Sequence, residues 1–439
     1  MNEIIIEGIR CFHQLQAVPI KPITILVGEN SSGKSTFLAL MRLAWDVAAG
    51  ITEIDFNEEP FLLGTYNQIA SYRQGRSGRA KSFSIGGRFS TNLLHTGDAP
   101  FSVPADVKIL GTFENKDAQP ILRDWSLETD ALQIRINFNE GEDYPTVTVK
   151  TSSGEAKIRN RGLFDPKMPV RQLLSYLGLF LIEARKGIGI LVEGQIPETE
   201  REKIRRLSFE LSTLEPRPYA FAPIRTHPQR TYDPIKDSPR PEGSHVPMIL
   251  AKMSASDSTA WGRMRTSLAH FGKASGLFDE VDVHRMGEKE SGPFQIRVKI
   301  SGPLFNLVDV GYGVSQVLPI IVDCLREAPE STFLLQQPEV HLHPKAQAEL
   351  GSFLASLAKE QNKRFLIETH SDYLVDRIRM DVRDRKNISA TDVSILYFER
   401  QNGSVKIHPV FLDEFGNIKN PPPEYRRFFL EEKTRFLVG

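Results

Sequence analysis

Ile23-Thr-Ile-Leu-Val27-Gly28-Glu-Asn-Ser-Ser-Gly33-Lys34-Ser35-Thr36 is the stretch that decides the fold. Ile23 to Val27 is short, β-branched and followed at once by glycine, which reads as a fully buried strand. Phe37, Leu38, Leu40, Met41 and Leu43 recur at helical spacing, so a helix is expected from about Ser35. The intervening Gly28 to Ser35 fits the pattern GxxxxGK[ST]. Glycines let the backbone wrap close to phosphate groups, and successive N–H groups with the helix N-terminus supply positive potential. Lys34 adds a point charge for the outer phosphates, and the Ser35 hydroxyl completes magnesium coordination. The competing reading is a glycine turn with an incidental lysine, and the strand–loop–helix setting weighs against it.

Around this stretch the chain has 439 residues, 40% hydrophobic and 25% charged. At roughly 100–200 residues per domain, that length points to two or three structural units with a sizeable core. The 55 basic and 55 acidic residues cancel. A general polyanion binder with a large basic excess is thereby excluded, while a local basic groove is not. The opening Met1 to Phe12 has no basic region ahead of a long apolar run, so no signal peptide is expected. The most apolar stretch, Leu173 to Ile182, is about half a membrane span. Cys11 and Cys324 are too few for a disulfide framework or a cysteine metal site. A cytoplasmic protein held together by its core is expected.

Glu3 to Ile9 reads as a strand. Ser82 to Ile85, Val107 to Leu110, Leu132 to Phe138 and Thr146 to Val149 alternate at period two between turn residues. They predict an antiparallel β layer. From about 165 to 292 the chain reads as helical and proline-rich, with an amphipathic helix over Glu198 to Glu215. Eight prolines between Pro216 and Pro247 exclude regular helix or a central strand there. Phe294 to Ile300 alternates again. Phe333 to Leu335 and Arg364 to Glu368 are short apolar strands flanking a helix, Pro344 to Glu360, an order that implies a parallel sheet. The basic residues Arg201, Lys203, Arg205, Arg206, Arg217, Arg225, Arg230 and Arg240 are interleaved with acidic ones and read as a solvated face.

Three later motifs carry chemistry. Gln336-Gln337-Pro-Glu339-Val-His341-Leu-His343-Pro ends a buried strand, where a phosphate-loop ATPase holds magnesium and polarises water. Its two histidines lack a third and fourth ligand nearby in sequence, which argues against zinc. Glu368-Thr-His370-Ser371-Asp372 also follows a strand. His370 can contact a terminal phosphate there, while Ser371 or Asp372 can cap the next helix. Asp309-Val-Gly311-Tyr-Gly313-Val-Ser315-Gln316 opens a helix and forms another anion-receiving N-terminus.

In this order the motifs resemble ABC-type ATPase heads of the SMC and DNA-repair kind, and look closest to the overcoming-lysogenization-defect (OLD) branch of AAA-family ATPases. DVGYGVSQVLP, PEVHLHPKAQ, ETHSDYL and the insert stretch Ala222 to Tyr232 carry the resemblance, strongest at both ends of the chain. It implies an α/β fold: a P-loop ABC-type head with a mixed or parallel sheet, an antiparallel β layer and an inserted helical lid. The expected division is 1–160 for the N-terminal half of the head, 161–292 for the lid and 293–439 for the C-terminal half.

The resemblance also implies ATP and Mg2+ as cofactors. ATP would be held by Asn30, Ser31, Ser32, Gly33, Lys34, Ser35 and Thr36, and sandwiched in a homodimer, or a higher oligomer built from it. Gly313 and Ser315 would reach the γ-phosphate bound by the second subunit. His370 would be the switch histidine, the stretch around His343 would cross the dimer interface, and Gln68 would sense magnesium with Ser35. One departure stands out. Gln336 occupies the position of the magnesium carboxylate and Gln337 that of the general base, and an amide cannot take a proton at neutral pH. Three explanations stand open: Glu339 supplies the carboxylate, hydrolysis is very slow, or the chain has been altered to trap ATP. About seventy residues follow His370, too few for the nuclease domain that OLD-type chains often carry. A separate effector partner is expected, of the kind found in antiphage defence. An ATP-gated scaffold and a DNA-associated repair ATPase are the rival readings; no membrane partner is expected.

Overall fold

The strand that opens the phosphate loop does not pair with the strands next to it in sequence. In the structure, a computed structural model, residues 1–72, 78–90, 106–138, 145–160, 169–170, 172–174, 190–194, 196–198, 201, 204, 216–233, 238–256, 258–287 and 292–425 are described. They fall into two units that are each discontinuous in sequence. One comprises Met1–Ile20, Glu29–Arg217 and Phe398–Ile407; the other comprises Lys21–Gly28, Pro218–Tyr397 and His408–Gly439.

The first unit is built on an antiparallel nine-stranded sheet. Its strands are β1 (Glu3–Glu7), β2 (Gln16–Pro19), β4 (Ser82–Ser90), β5 (Asp106–Lys116), β6 (Gln119–Glu128), β7 (Leu132–Asn137), β8 (Thr146–Thr151), β9 (Gly154–Asn160) and β10 (Ile190–Gly194). They run in the order β10-β9-β8-β7-β6-β5-β4-β1-β2. The four alternating stretches seen in the sequence are β4, β5, β7 and β8; the sheet extends beyond them at both ends. Helix α1 (Lys34–Ala48) packs on β4, β5 and β1, burying Phe37, Leu38, Leu40, Met41, Leu43 and Val47. Gly111 of β5 lets the helix close in, since a Cβ there would meet Val47 at 3.1 Å. Trp125 of β6 is fully buried, and its indole N–H donates to the Val47 carbonyl at 2.9 Å. A short helix α2 (Tyr66–Ile69) follows in the same unit.

The second unit holds, apart from Phe398–Ile407, a seven-stranded sheet of β3 (Ile23–Gly28), β11 (Tyr219–Phe221), β15 (Thr332–Gln336), β16 (Arg364–Glu368), β17 (Val393–Gln401), β18 (Ser404–Leu412) and β19 (Ile418–Lys419). The order is β11-β15-β16-β3-β17-β18-β19, with β11, β15, β16 and β3 parallel. Their carboxyl ends therefore share one edge, where α/β sheets place ligands. Helices α3 (Val246–Ser256), α4 (Ser258–Ser275), α5 (Tyr312–Arg326), α6 (Pro344–Gln361) and α7 (Asp372–Arg383) belong to this unit, with a small sheet of β12 (Glu280–Arg285), β13 (Phe294–Lys299) and β14 (Leu304–Asn306). One core joins the faces of β3, β15 and β16 to α5, α6 and α4, centred on Phe271, Ile320, Phe333, Leu350 and Phe365.

The proline-rich stretch behaves as read: β11 is a three-residue edge strand, which tolerates flanking prolines. Among the described residues of the 165–292 span, β10, β11 and β12 lie beside the helices α3 and α4. The helix expected over Glu198 to Glu215 lies almost wholly outside the described residues. A buried polar network ties β11 to α5. The Tyr219 hydroxyl donates to Asp323 at 2.8 Å, and the Arg240 N–H donates to His245 Nδ1 at 3.1 Å. That leaves His245 Nε2 to donate to Asp323 at 3.0 Å. No described helix is long and apolar enough to cross a membrane.

Candidate nucleotide site

β3 ends at Gly28, and the phosphate loop begins at the next residue, in the first unit. Ser31 and Gly33 take positive φ, 59° and 91°, which turns the loop back on itself. At Gly33 a side chain is excluded twice over: φ is left-handed, and a Cβ would stand 2.6 Å from Cys11 Sγ and 3.0 Å from the Phe12 ring. Lys34 is buried, and its ammonium donates to the Glu29 carbonyl at 2.7 Å, so the cation is held against the loop's own backbone. Ser32 Oγ is buried with no hydrogen-bond partner, whereas Ser31 and Ser35 are exposed. Asn30 is exposed too, and its carbonyl accepts from Arg400 Nη2 at 2.7 Å. This set of glycines, one lysine, an orphaned hydroxyl and an exposed serine fits a polyphosphate.

Arg10, which the sequence reading passed over, braces the start of α1. Its Nη1 donates to Thr36 Oγ1 at 2.9 Å, its Nη2 to the Leu63 carbonyl at 2.9 Å, and its Nε to the Gln68 carbonyl at 3.4 Å. Burial lowers its pKa against a smaller opposing effect from Cys11. Thr36 and Gln68 are thus joined through one guanidinium. The Gln68 side chain is occupied in a capping box, its Oε1 accepting the Thr65 N–H at 2.8 Å. A cavity of about 570 Å³ lies beside this brace, lined by Arg10, Cys11, His13, Gln68, Tyr72 and Arg79 among others. Arg79 stands over the Tyr72 ring at 5.3 Å.

The other predicted residues gather in the second unit, at the carboxyl ends of β15 and β16. Gln336 is buried, its amide donating to the Phe221 carbonyl at 3.4 Å. Gln337 has φ 43° and donates its N–H to the Glu368 carbonyl at 2.8 Å, so the chain leaves the strand in a sharp turn. That turn places Glu339 under the loop after β16. Glu339 is 7% exposed; Oε1 accepts the His370 N–H at 2.8 Å, and Oε2 is buried without a partner. The His370 ring is exposed. Ser371 caps α7, accepting the Leu374 N–H at 3.1 Å while donating to Gln347 Oε1 at 2.6 Å.

Helix α5 comes up to the same turn. A Cβ at Gly313 would meet the His341 carbonyl at 2.7 Å, so only glycine permits this approach. The Tyr312 ring lies 4.8 Å from His341 and 5.4 Å from His227. Ser315 is buried with its hydroxyl donating back to the Tyr312 carbonyl at 2.8 Å. His341 and His343 are both exposed, and no group of three or more His, Cys, Asp or Glu among the described residues could hold a metal.

Arg225 corrects the sequence reading. Counted there in a solvated basic face, it is 1% exposed, while Ile224 beside it is 77% exposed. Its Nη2 reaches the Gln336 carbonyl at 3.5 Å; Nε and Nη1 have no partner. Burial pushes its pKa down to about 10, with Glu339 and Tyr312 pulling the other way, so it stays a cation at neutral pH. The signal was present in Ala222-Pro-Ile-Arg225: an arginine isolated among apolar residues and proline, unlike the charged 201–206 run. Arg217 is partly buried, whereas Arg230 is exposed as expected. Arg217 pairs with Asp46 at 2.6 Å and Arg230 with Asp309 at 2.6 Å.

Residues 208–376 match a family model described as "AAA domain, putative AbiEii toxin, Type IV TA system". The matched span contains Arg225, Gly313, Ser315, Gln336 to Glu339 and His370, and starts after the phosphate loop. No curated protein matches the chain. Similar solved structures include an SMC head bound to the C-winged helix domain of ScpA, at 12% identity over 94% of this chain and 98% of that one, TM-score 0.43. The SMC head domain from Thermotoga maritima shares 12% identity over 93% and 98%, TM-score 0.36. An SMC head with an extended coiled coil, bound to the C-terminal domain of ScpA derived from Pyrococcus furiosus, shares 11% over 99% and 99%, TM-score 0.41. Residues 208–376 are thus similar to an AAA domain, and ahead of that span a GxxxxGK[ST] loop is set between β3 and α1 on a mixed α/β frame.

Proposed function

We propose that this chain binds ATP on the loop from Asn30 to Thr36 and hydrolyses it slowly, with Glu339 as the general base. The observation that carries this reading is the state of Glu339: a buried carboxylate, anchored through one oxygen by the His370 N–H and unpartnered at the other. Gln336 and Gln337 precede it at the positions where the acidic pair is expected, and neither amide accepts a proton at neutral pH. In the step, a water oxygen bonds to the γ-phosphorus as the bond to the β–γ bridging oxygen breaks. Glu339 Oε2 takes the water proton, and ADP and phosphate leave. Lys34 would offset charge on the outer phosphates, and His370 would contact the transferred group.

Magnesium would be held by the Ser35 hydroxyl and the Gln336 amide oxygen, with Gln68 nearby through Arg10, and would offset charge on the phosphates when bound. The set contains no carboxylate, so the phosphates of ATP would supply most of the ligands. The cavity lined by Arg10, Tyr72 and Arg79 suits the nucleoside portion, since a base can stack on the aromatic–guanidinium wall. The first turn of α5, from Gly311 to Ser315, offers backbone N–H groups to the γ-phosphate of ATP on a second copy, closing a sandwich. The resemblance of the motif series to stand-alone defence ATPases supports a regulatory role toward a separate effector.

A second reading is an ATP-gated scaffold with negligible turnover, and the Gln336-Gln337 pair is what favours it. Equilibrium ATP binding and phosphate release, measured together on the wild type and Lys34→Ala, separate the two. Binding and release both lost in Lys34→Ala support the enzyme; wild-type binding without release supports the scaffold.

A further inference from the structure

Three segments of the second unit meet around one guanidinium: the loop after β11, the first turn of α5 and the turn after β15. Arg225 enters from the first, 1% exposed and fixed only by a 3.5 Å contact to the Gln336 carbonyl. Its Nε and Nη1 are buried without partners, and so are Glu339 Oε2 and Gln316 Nε2. A buried arginine of this kind is costly, because its five N–H donors form a rigid fork that wants acceptors on both edges. Packing alone would be served better by an apolar side chain of similar volume. The unsatisfied acceptor whose negative charge acts on Arg225 is the Glu339 carboxylate, three residues beyond the Gln336 carbonyl that Arg225 touches. Tyr312, held between the His227 and His341 rings, closes the cluster on the α5 side.

We propose that Arg225 is a positioning residue for Glu339. Its Nε and Nη1 edges, unpartnered here, supply the donors that hold the free carboxylate oxygen toward the attacking water when nucleotide is bound. This inference rests on Glu339 being the base. It predicts that Arg225 affects the chemical step and not nucleotide capture, and that it acts only through Glu339.

The test is steady-state ATP turnover by full-length wild type, Arg225→Met, Glu339→Gln and the double variant, with melting curves for each. Arg225→Met keeps the volume and removes the fork. It is expected to lower kcat about a hundredfold, the scale of a misplaced catalytic group, with KM changed less than about threefold. In the Glu339→Gln background the same substitution is expected to change kcat no further. Should Arg225→Met not fold, Arg225→Lys, which keeps the charge but not the two-edged fork, goes through the same cycle with the same expected pattern. Losses that multiply in the double variant, or an Arg225 variant with wild-type kcat, overturn the role of Arg225 and leave Glu339 standing. A wild type that binds ATP without turning it over removes the base itself, and this inference with it.

Discussion

At the residue scale, the phosphate loop is built against Cys11. Gly33→Ala would force a left-handed alanine, costing about 1–2 kcal/mol, into a space where Cys11 Sγ lies 2.6 Å away. ATP affinity is expected to fall at least as far as in Lys34→Ala, measured by nucleotide titration. Burial pushes the Cys11 thiol up to about 11 from 9.0, opposed by a backbone hydrogen bond and by Arg10 and Arg400. The folded state therefore favours the protonated thiol, a contribution present below pH 9 and lost as pH rises through 11. At pH 8 its thiolate fraction is about a hundredfold below that of an unburied thiol, so iodoacetamide labelling should be slow and should quicken with each pH step to about 11. Lys34 and Ser35 were legible because spacing alone defines the loop. The burial of Arg225 left a trace in its apolar, proline-bearing neighbours, but the role proposed for it did not, because that depends on Glu339 and Tyr312, 114 and 87 positions later.

At the element scale, strands with unbroken apolar or alternating patterns were legible: β3, β15 and β16 as buried runs, β4, β5, β7 and β8 by alternation. β6 was not, since Pro120, Arg123 and Asp124 interrupt its pattern and its anchor, Trp125, reveals itself only by packing on α1. Nor could a sequence show that β1 and β2 join β4 while β3 inserts beside β16, because pairing over hundreds of residues leaves no local trace. The cap of α7 was legible in Thr-His-Ser-Asp. Ser371→Ala removes that cap and the bond to Gln347, and should cost about 1–2 kcal/mol in urea unfolding. The helix should survive; the loop carrying His370 should loosen, visible as faster amide exchange at Thr369 and His370.

At the scale of the whole molecule, ATP that is bound but not cleaved should hold two copies together. Glu339→Gln with ATP is expected to shift the mass in light scattering from 49.5 kDa toward twice that value, and Lys34→Ala is expected to stay at one copy. A zero formal net charge argues against a general polyanion binder and leaves a local basic groove open. Any DNA affinity should show a shallow dependence on salt, and a steep one would support the repair-type reading. All of this turns on whether a carboxylate two residues beyond Gln337 does the work of a base that the strand end lacks. The most direct measurement is phosphate release by Glu339→Gln beside the wild type at saturating ATP. Release is expected to fall by a factor of about 10² to 10⁴, the range for losing a general base, with ATP still bound. Release at the wild-type rate would show that the proton goes elsewhere, and would contradict the assignment of Glu339.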